Sequence, residues 1–287
     1  MNRRIIRILF VALFYLVSLS AVAQSVKWKD WEVQGDTLYE KQEFAEAARL
    51  YSKVLDANTL KDGQYEDQGL YNTLYKRAVC YYSTKEYDKA LKDLELFGPA
   101  YPSAPQPKLL KAFIYRELDD VDNQLTSLNE AMALQPPNPD FLKWRGLLYI
   151  QKEQFEPALV DMLRARQFQD DSEIETYLGL AYFNLDKKDS AHLSFTKAIE
   201  LDATFIAPYL YGGSMALQEG DYELALEYLN LALRLDSRNK EALFYKGVAL
   251  IELKRLDEGC KCLNRAFYAG YDDAGDYLAE YCFSVEN

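Results

Sequence analysis

Residues 175–202 read ETYLGLAYFNLDKKDSAHLSFTKAIELD. The apolar spacing predicts two short amphipathic helices joined by a turn near residues 185–188. Small residues fall where the two helices must touch: Gly179 in the first, Ala191 and Ala198 in the second. Leu178, Tyr182 and Phe195 supply the bulk that fills the remaining space.

The arrangement recurs. Gly or Ala returns at Ala78, Ala112, Gly146, Gly179, Gly213 and Gly247, at separations of 34, 34, 33, 34 and 34. A second series runs Ala90, Gln124, Ala158, Ala191, Ala225 and Gly259, and a third runs Ala131, Ala165, Ala198, Ala232 and Ala266. Helices approach closely only where side chains are small, and one such hairpin cannot bury its apolar face alone. Stacked hairpins turn inadequate cores into one continuous core.

The spacing Leu178-Gly179-x-x-Tyr182, followed by Ala191-x-x-x-Phe195, resembles the tetratricopeptide repeat. The resemblance implies an all-α fold, a right-handed α-α superhelix of about seven helix-turn-helix repeats with a C-terminal capping helix. A solenoid over residues 24–272 is expected, with repeats near 28–61, 71–104, 105–138, 139–171, 172–205, 206–239 and 240–272. Residues 273–286 read as one further helix with Leu278, Tyr281 and Cys282 in its apolar stripe, so 273–287 is assigned as the cap.

Some positions depart from the pattern. Residues 62–70 (DGQYEDQGL) break the period and suggest a longer connection or an extended next helix. Pro99, Pro102, Pro105 and Pro107 form a firm break after the second repeat. Gln124 stands where a small residue belongs, so the two helices of the third repeat are expected to pack less closely. Lys188 replaces the usual turn aromatic of the fifth repeat.

Arg3, Arg4 and Arg7, an apolar run over residues 8–19 and Ala21-Val22-Ala23 give the layout of a secretory signal peptide over residues 1–23, cleaved after Ala23. The expected location is outside the cytoplasm, the periplasm first. A secreted or N-terminally membrane-anchored protein is the alternative. The net charge of −12 argues against a nucleic-acid partner. Of the four cysteines, Cys80 lies about five repeats from Cys260, Cys262 and Cys282. Buried free thiols are the favoured reading, with a bridge from Cys282 to Cys260 or Cys262 as the alternative.

His192 is the sole histidine and reads as a half-exposed surface residue. With one histidine, the common metal clusters and Ser–His or Cys–His nucleophiles lack parts. No GxxxxGK[ST] or GxGxxG run occurs. The expectation is therefore no enzyme, no cofactor, no metal and no small-molecule substrate.

What remains is surface. In tetratricopeptide proteins the first helix of each repeat lines a concave groove that commonly binds peptides or helices. By that resemblance the partner-binding groove holds Tyr75 and Tyr82 (with Val79), Phe113 and Arg116 (with Leu109), then Lys143, Leu147 and Ile150. It continues through Thr176, Leu180, Phe183 and Asn184 to Leu210 and Leu217 (with Ser214), and ends on Phe244 (with Val248 and Ile251). Chaperone-tail clamps of this family present Lys, Arg and Asn to a terminal carboxylate. Here Val79, Phe113 and Leu147 stand at the clamp asparagine places, which suits an apolar segment better. The expected function is an envelope adaptor that holds an apolar peptide or helix of a partner protein. A structural subunit of a secretion or cell-wall complex, using the convex face and C-terminal helix, is the second reading.

Overall fold

The structure is a computed structural model that describes residues 28–58, 65 and 67–283. The signal-peptide reading of residues 1–23, residues 62–64 and 66 of the 62–70 insertion, and the last four residues lie outside the described residues. Every regular element among the described residues is a helix. Two compact units divide between Pro136 and Pro137.

The first unit holds α1 (28–40), α2 (Phe44–Asn58), α3 (Gly69–Ser83), α4 (Tyr87–Phe97), α5 (Pro105–Glu117) and α6 (Val121–Met132). The second holds α7 (Pro139–Gln151), α8 (Phe155–Arg166), α9 (Ser172–Asn184), α10 (Lys188–Leu201), α11 (Ala207–Glu219), α12 (Tyr222–Leu235), α13 (Lys240–Glu252), α14 (Leu256–Tyr268) and α15 (Ala274–Tyr277). A π-helical turn, Leu278–Cys282, follows α15. Within each unit, helices pair as antiparallel hairpins and each hairpin packs on the next.

The small-residue ladders lie at the helix contacts as expected, and the structure shows what faces them. A Cβ placed on Gly179 would lie 2.6 Å from the Phe195 ring. The same contact recurs at 2.8 Å between Gly35 and Tyr51, 2.8 Å between Gly146 and Met162, 2.8 Å between Gly213 and Leu229, and 2.7 Å between Gly247 and Leu263. In every case the large partner sits at the same offset from its glycine, on the second helix of the same hairpin. Tyr51, Phe195, Leu229 and Leu263 are fully buried. The third repeat does not pack loosely as its Gln124 suggested. Ala112, Leu128 and Ala131 are wholly buried between α5 and α6, and Gln124 is itself only 3% exposed.

The neighbouring register, one residue earlier on each helix, holds an Arg–Asp pair in two hairpins. Arg77 donates Nε and Nη2 to the two carboxylate oxygens of Asp93, both at 2.8 Å, and Nη1 to Ser52 Oγ at 3.0 Å. Arg145 holds Asp161 in the same two-pronged way, both bonds at 2.7 Å. The Asp93 and Asp161 side chains are buried. Burial pushes the Asp93 carboxyl above its ordinary range, and the Arg77 guanidinium opposes that rise. These fork-to-fork pairs fix the azimuth of one helix on the other, because a planar guanidinium meets a carboxylate in one geometry.

The hairpin turns share a backbone feature. Gln42, Lys85, Asp119, Glu153, Asp186 and Lys254 have φ between 55° and 62°, and Gly220 has φ of 80°. One such left-handed residue closes each hairpin, yet only α11–α12 uses glycine. A Cβ on Gly220 would meet nothing within 4 Å, so a substitution there would act through backbone conformation alone. Gly220→Ala is expected to cost about 1 kcal/mol. Asp186→Gly should cost nothing or stabilise slightly, since it relieves the same strain. Urea midpoints of the two variants against the parent check this.

The C-terminal segment differs from the single helix expected over 273–286. One α-helical turn, α15, passes into the π-helical turn and ends at Cys282, with Phe283 exposed beyond it. The π turn carries Cys282 back onto α14, where it bridges to Cys260 with a Cα–Cα distance of 5.8 Å. The preference for free thiols is therefore corrected at this pair. Cys260 and Cys262 face different directions, and the wider turn brings Cys282 to the first of them. Cys80 and Cys262 are free and buried, and burial pushes the Cys80 thiol up to about 12.

Candidate functional site in the second unit

In the second unit the first helices of successive hairpins, α7, α9, α11 and α13, contact one another in a row. This places the residues expected in the groove, but not all of them on a surface. Thr176 is wholly buried and its hydroxyl donates to the Ser172 carbonyl at 2.7 Å, so it is a core residue and not a groove contact. Phe244, Val248 and Ile251 are also buried, at 7%, 7% and 4% exposure. The chain's own C-terminal segment explains this. Phe244 stacks on Tyr271 with ring centroids 4.6 Å apart and meets Tyr277 edge-on at 5.3 Å, while Leu278 joins the same cluster. Leu217 is partly buried against the α13 clusters.

Lys143 is present on α7 but already committed. Its ammonium lies 3.1 Å from Asp171 and 2.6 Å from Glu173, both on the neighbouring hairpin. Burial works against its charge, and the Glu173 and Asp171 carboxylates more than offset that, holding its pKa above the usual lysine value. Leu147 and Ile150 are partly buried on the same helix.

Four of the expected residues come together. Leu180, Phe183 and Asn184 of α9 and Leu210 of α11 line one cavity of about 260 Å³, with Ser214 beside them. Phe195 and Met215 close its floor from the core, and Tyr211, Gln218, Glu241 and Tyr245 complete its rim. Asn184 donates Nδ2 to the Leu180 carbonyl at 2.9 Å, which fixes its amide at the edge. The cavity is large enough for one bulky side chain. It is apolar below and polar around the mouth, the arrangement that holds an apolar group and orients its neighbours.

Tyr177, Tyr211 and Tyr245 were not among the expected groove residues, though they recur at the period of the small-residue ladders. Their recurrence is a ladder of large residues that shares the period of the small ones. They stand close enough to influence one another. Burial first, then Glu173 and Tyr211, raises the Tyr177 pKa; burial, then Glu241 and Tyr245, raises that of Tyr211. Both phenols therefore stay neutral across the physiological range, available as hydroxyl donors and as ring faces.

In the first unit the expected residues serve partly as core. Tyr75 packs between the α3 and α4 clusters, its ring 5.6 Å from Phe97. Tyr82 is half-buried beside Tyr87 at 6.1 Å. Phe113 is half-buried under the Arg116 guanidinium, 5.1 Å from its ring centre, and Arg116 also lies 3.5 Å from Glu117. His192 is partly exposed, with Nε2 3.1 Å from Glu219. Among the described residues no three His, Cys, Asp or Glu side chains come together to hold a metal ion, and no helix is long and apolar enough to cross a membrane.

Three models of the tetratricopeptide repeat match the chain, over residues 32–105, 178–205 and 216–279. The human protein tetratricopeptide repeat protein 13 is 26% identical over 172 residues, which is 58% of this chain and 19% of that protein. The chain thus spans about a fifth of the length of the curated relative it matches. Among solved structures, the C-terminal part of a repeat-containing protein from Cytophaga hutchinsonii superposes with a TM-score of 0.64 at 20% identity, covering 86% of this chain and 99% of that one. A tetratricopeptide repeat protein from Parabacteroides merdae gives 0.60 at 13% identity, covering 88% and 97%. PilW, described as a widely conserved type IV pilus biogenesis factor, gives 0.60 at 13% identity, covering 74% and 100%. These likenesses show a shared fold.

Proposed function

This chain belongs to the tetratricopeptide repeat family, and from that premise we propose that it is a non-enzymatic scaffold of the cell envelope. It holds an apolar peptide or helix of a partner protein against the row of first helices in its second unit. The observation that carries this reading is the convergence of Leu180, Phe183 and Leu210 on one cavity open to solvent. The export half rests on the signal-like layout of residues 1–23. The Cys260–Cys282 bridge supports it, since such bonds persist where the surroundings are oxidising.

A photo-crosslinking residue at position 210 tests this against the second reading, in which the outer helices carry the contacts. Leu193 on α10 is 72% exposed and serves as the outer probe. In the native compartment, position 210 is expected to cross-link a partner protein, and position 193 is not. Cross-links from 193 alone would overturn the cavity assignment in favour of a subunit that assembles through its outer helices. Fractionation of the same cells decides the envelope location.

A further inference from the structure

The cavity lined by Leu180, Phe183 and Leu210 has an acidic, aromatic mouth that no group among the described residues answers. Glu241 is exposed in the first turn of α13, and among the described residues its carboxylate takes part in no ion pair and no hydrogen bond. The neighbouring cation on the same helix, Lys240, is used elsewhere. The Lys240 ammonium donates to the Gly270 carbonyl at 3.0 Å. Beside Glu241 stand Tyr211, 36% exposed, and Tyr245, whose rings also border the cavity.

We propose that the segment held here carries a lysine or arginine next to its apolar anchor. The inference rests on the reading of this face as a peptide site and names the chemistry of what it takes. The anchor side chain fills the apolar floor. The adjoining ammonium or guanidinium then lies between the Glu241 carboxylate and the Tyr211 ring face, where a cation is attracted by both the charge and the ring quadrupole. Part of the attraction is desolvated by the anchor itself, which covers the mouth as it enters. The net charge of −12 adds a longer-range preference of the same sign. An acidic segment meets repulsion from both sources.

Three short fluorescent peptides with one central phenylalanine test this by anisotropy on the full protein. One has lysines on both sides of the phenylalanine, one has glutamines, and one has glutamates. The lysine peptide should bind at least about tenfold more tightly than the glutamate peptide, and the gap should narrow at high salt. Glu241→Gln should weaken the lysine peptide about fivefold and leave the glutamine peptide unchanged. Tyr211→Leu should do likewise by a similar factor. Equal binding of the lysine and glutamine peptides, with no response to Glu241→Gln, overturns the basic preference while the apolar site stands. Binding of none of the three, with the fold intact by circular dichroism, overturns the preference and the peptide site together.

Discussion

Arg145→Ala is expected to destabilise the protein by about 3–5 kcal/mol, because it leaves the Asp161 carboxylate buried with no counter-ion. The Asp161 side chain is only 3% exposed and takes both of its close bonds from this one guanidinium. Against whole-domain stabilities of about 5–15 kcal/mol, a loss of that size should be plain in a urea melt. Asp161→Ala should be costly for the mirror-image reason. The double variant Arg145→Met with Asp161→Leu should be milder than either single change, since it removes both desolvated charges together. Other hairpins support this. The same register holds Leu178 with Ser194, and Gly212 with Tyr228, so the frame accepts uncharged pairs. If the double variant is as unstable as the two singles summed, the pair is no self-contained unit and its charges answer to other groups.

That pair also marks where the sequence stops being readable. The ladders through Gly179, Ala191 and Ala198 were legible because small residues at a fixed period leave a pattern that chance does not produce. The hairpins and their rough boundaries followed from it. Pairing between ladders was not legible, because a repeat period relates each position to its own equivalents and not to its partner on the facing helix. Arg77 with Asp93 and Arg145 with Asp161 occur in two hairpins only, too few to stand out. The left-handed turn residues were hidden for a related reason: they share φ but not identity, running from Gln42 through Asp119 to Lys254.

The candidate site divides along the same line. Leu180, Phe183, Asn184 and Leu210 could be placed from register alone, and they meet. Register could not say that Thr176 turns its hydroxyl to Ser172, nor that the chain's own tail covers Phe244. Burial at the last repeat depends on how the tail folds, and the π turn at residues 278–282 leaves no periodic trace. Tyr211, Tyr245 and Glu241 were visible as letters but not as neighbours.

The contact between Gly179 and Phe195 yields the other large effect. Phe195→Ala is expected to cost about 3–5 kcal/mol, through lost burial and the cavity left between α9 and α10. Gly179→Ala is expected to cost about 1–3 kcal/mol by the opposite fault, because its Cβ would lie 2.6 Å from Cε1, 2.7 Å from Cδ1 and 2.9 Å from Cζ of that ring. Adding Phe195→Leu to Gly179→Ala should then recover much of the loss. The molecule already contains that combination: Ala78 with Leu94, and Ala112 with Leu128, stand at the same offset as Gly179 with Phe195, and all four side chains are buried. A smaller second-helix residue withdraws the atoms that the new methyl group would strike, so the two changes should couple favourably. Equilibrium melts of the two single variants, Gly179→Ala and Phe195→Leu, and of their double measure that coupling directly. A double variant no better than the sum of its parts would mean that α9 meets α10 through some other contact. Recovery would mean that this fixed offset, and not the identity of either residue, sets how closely each hairpin closes.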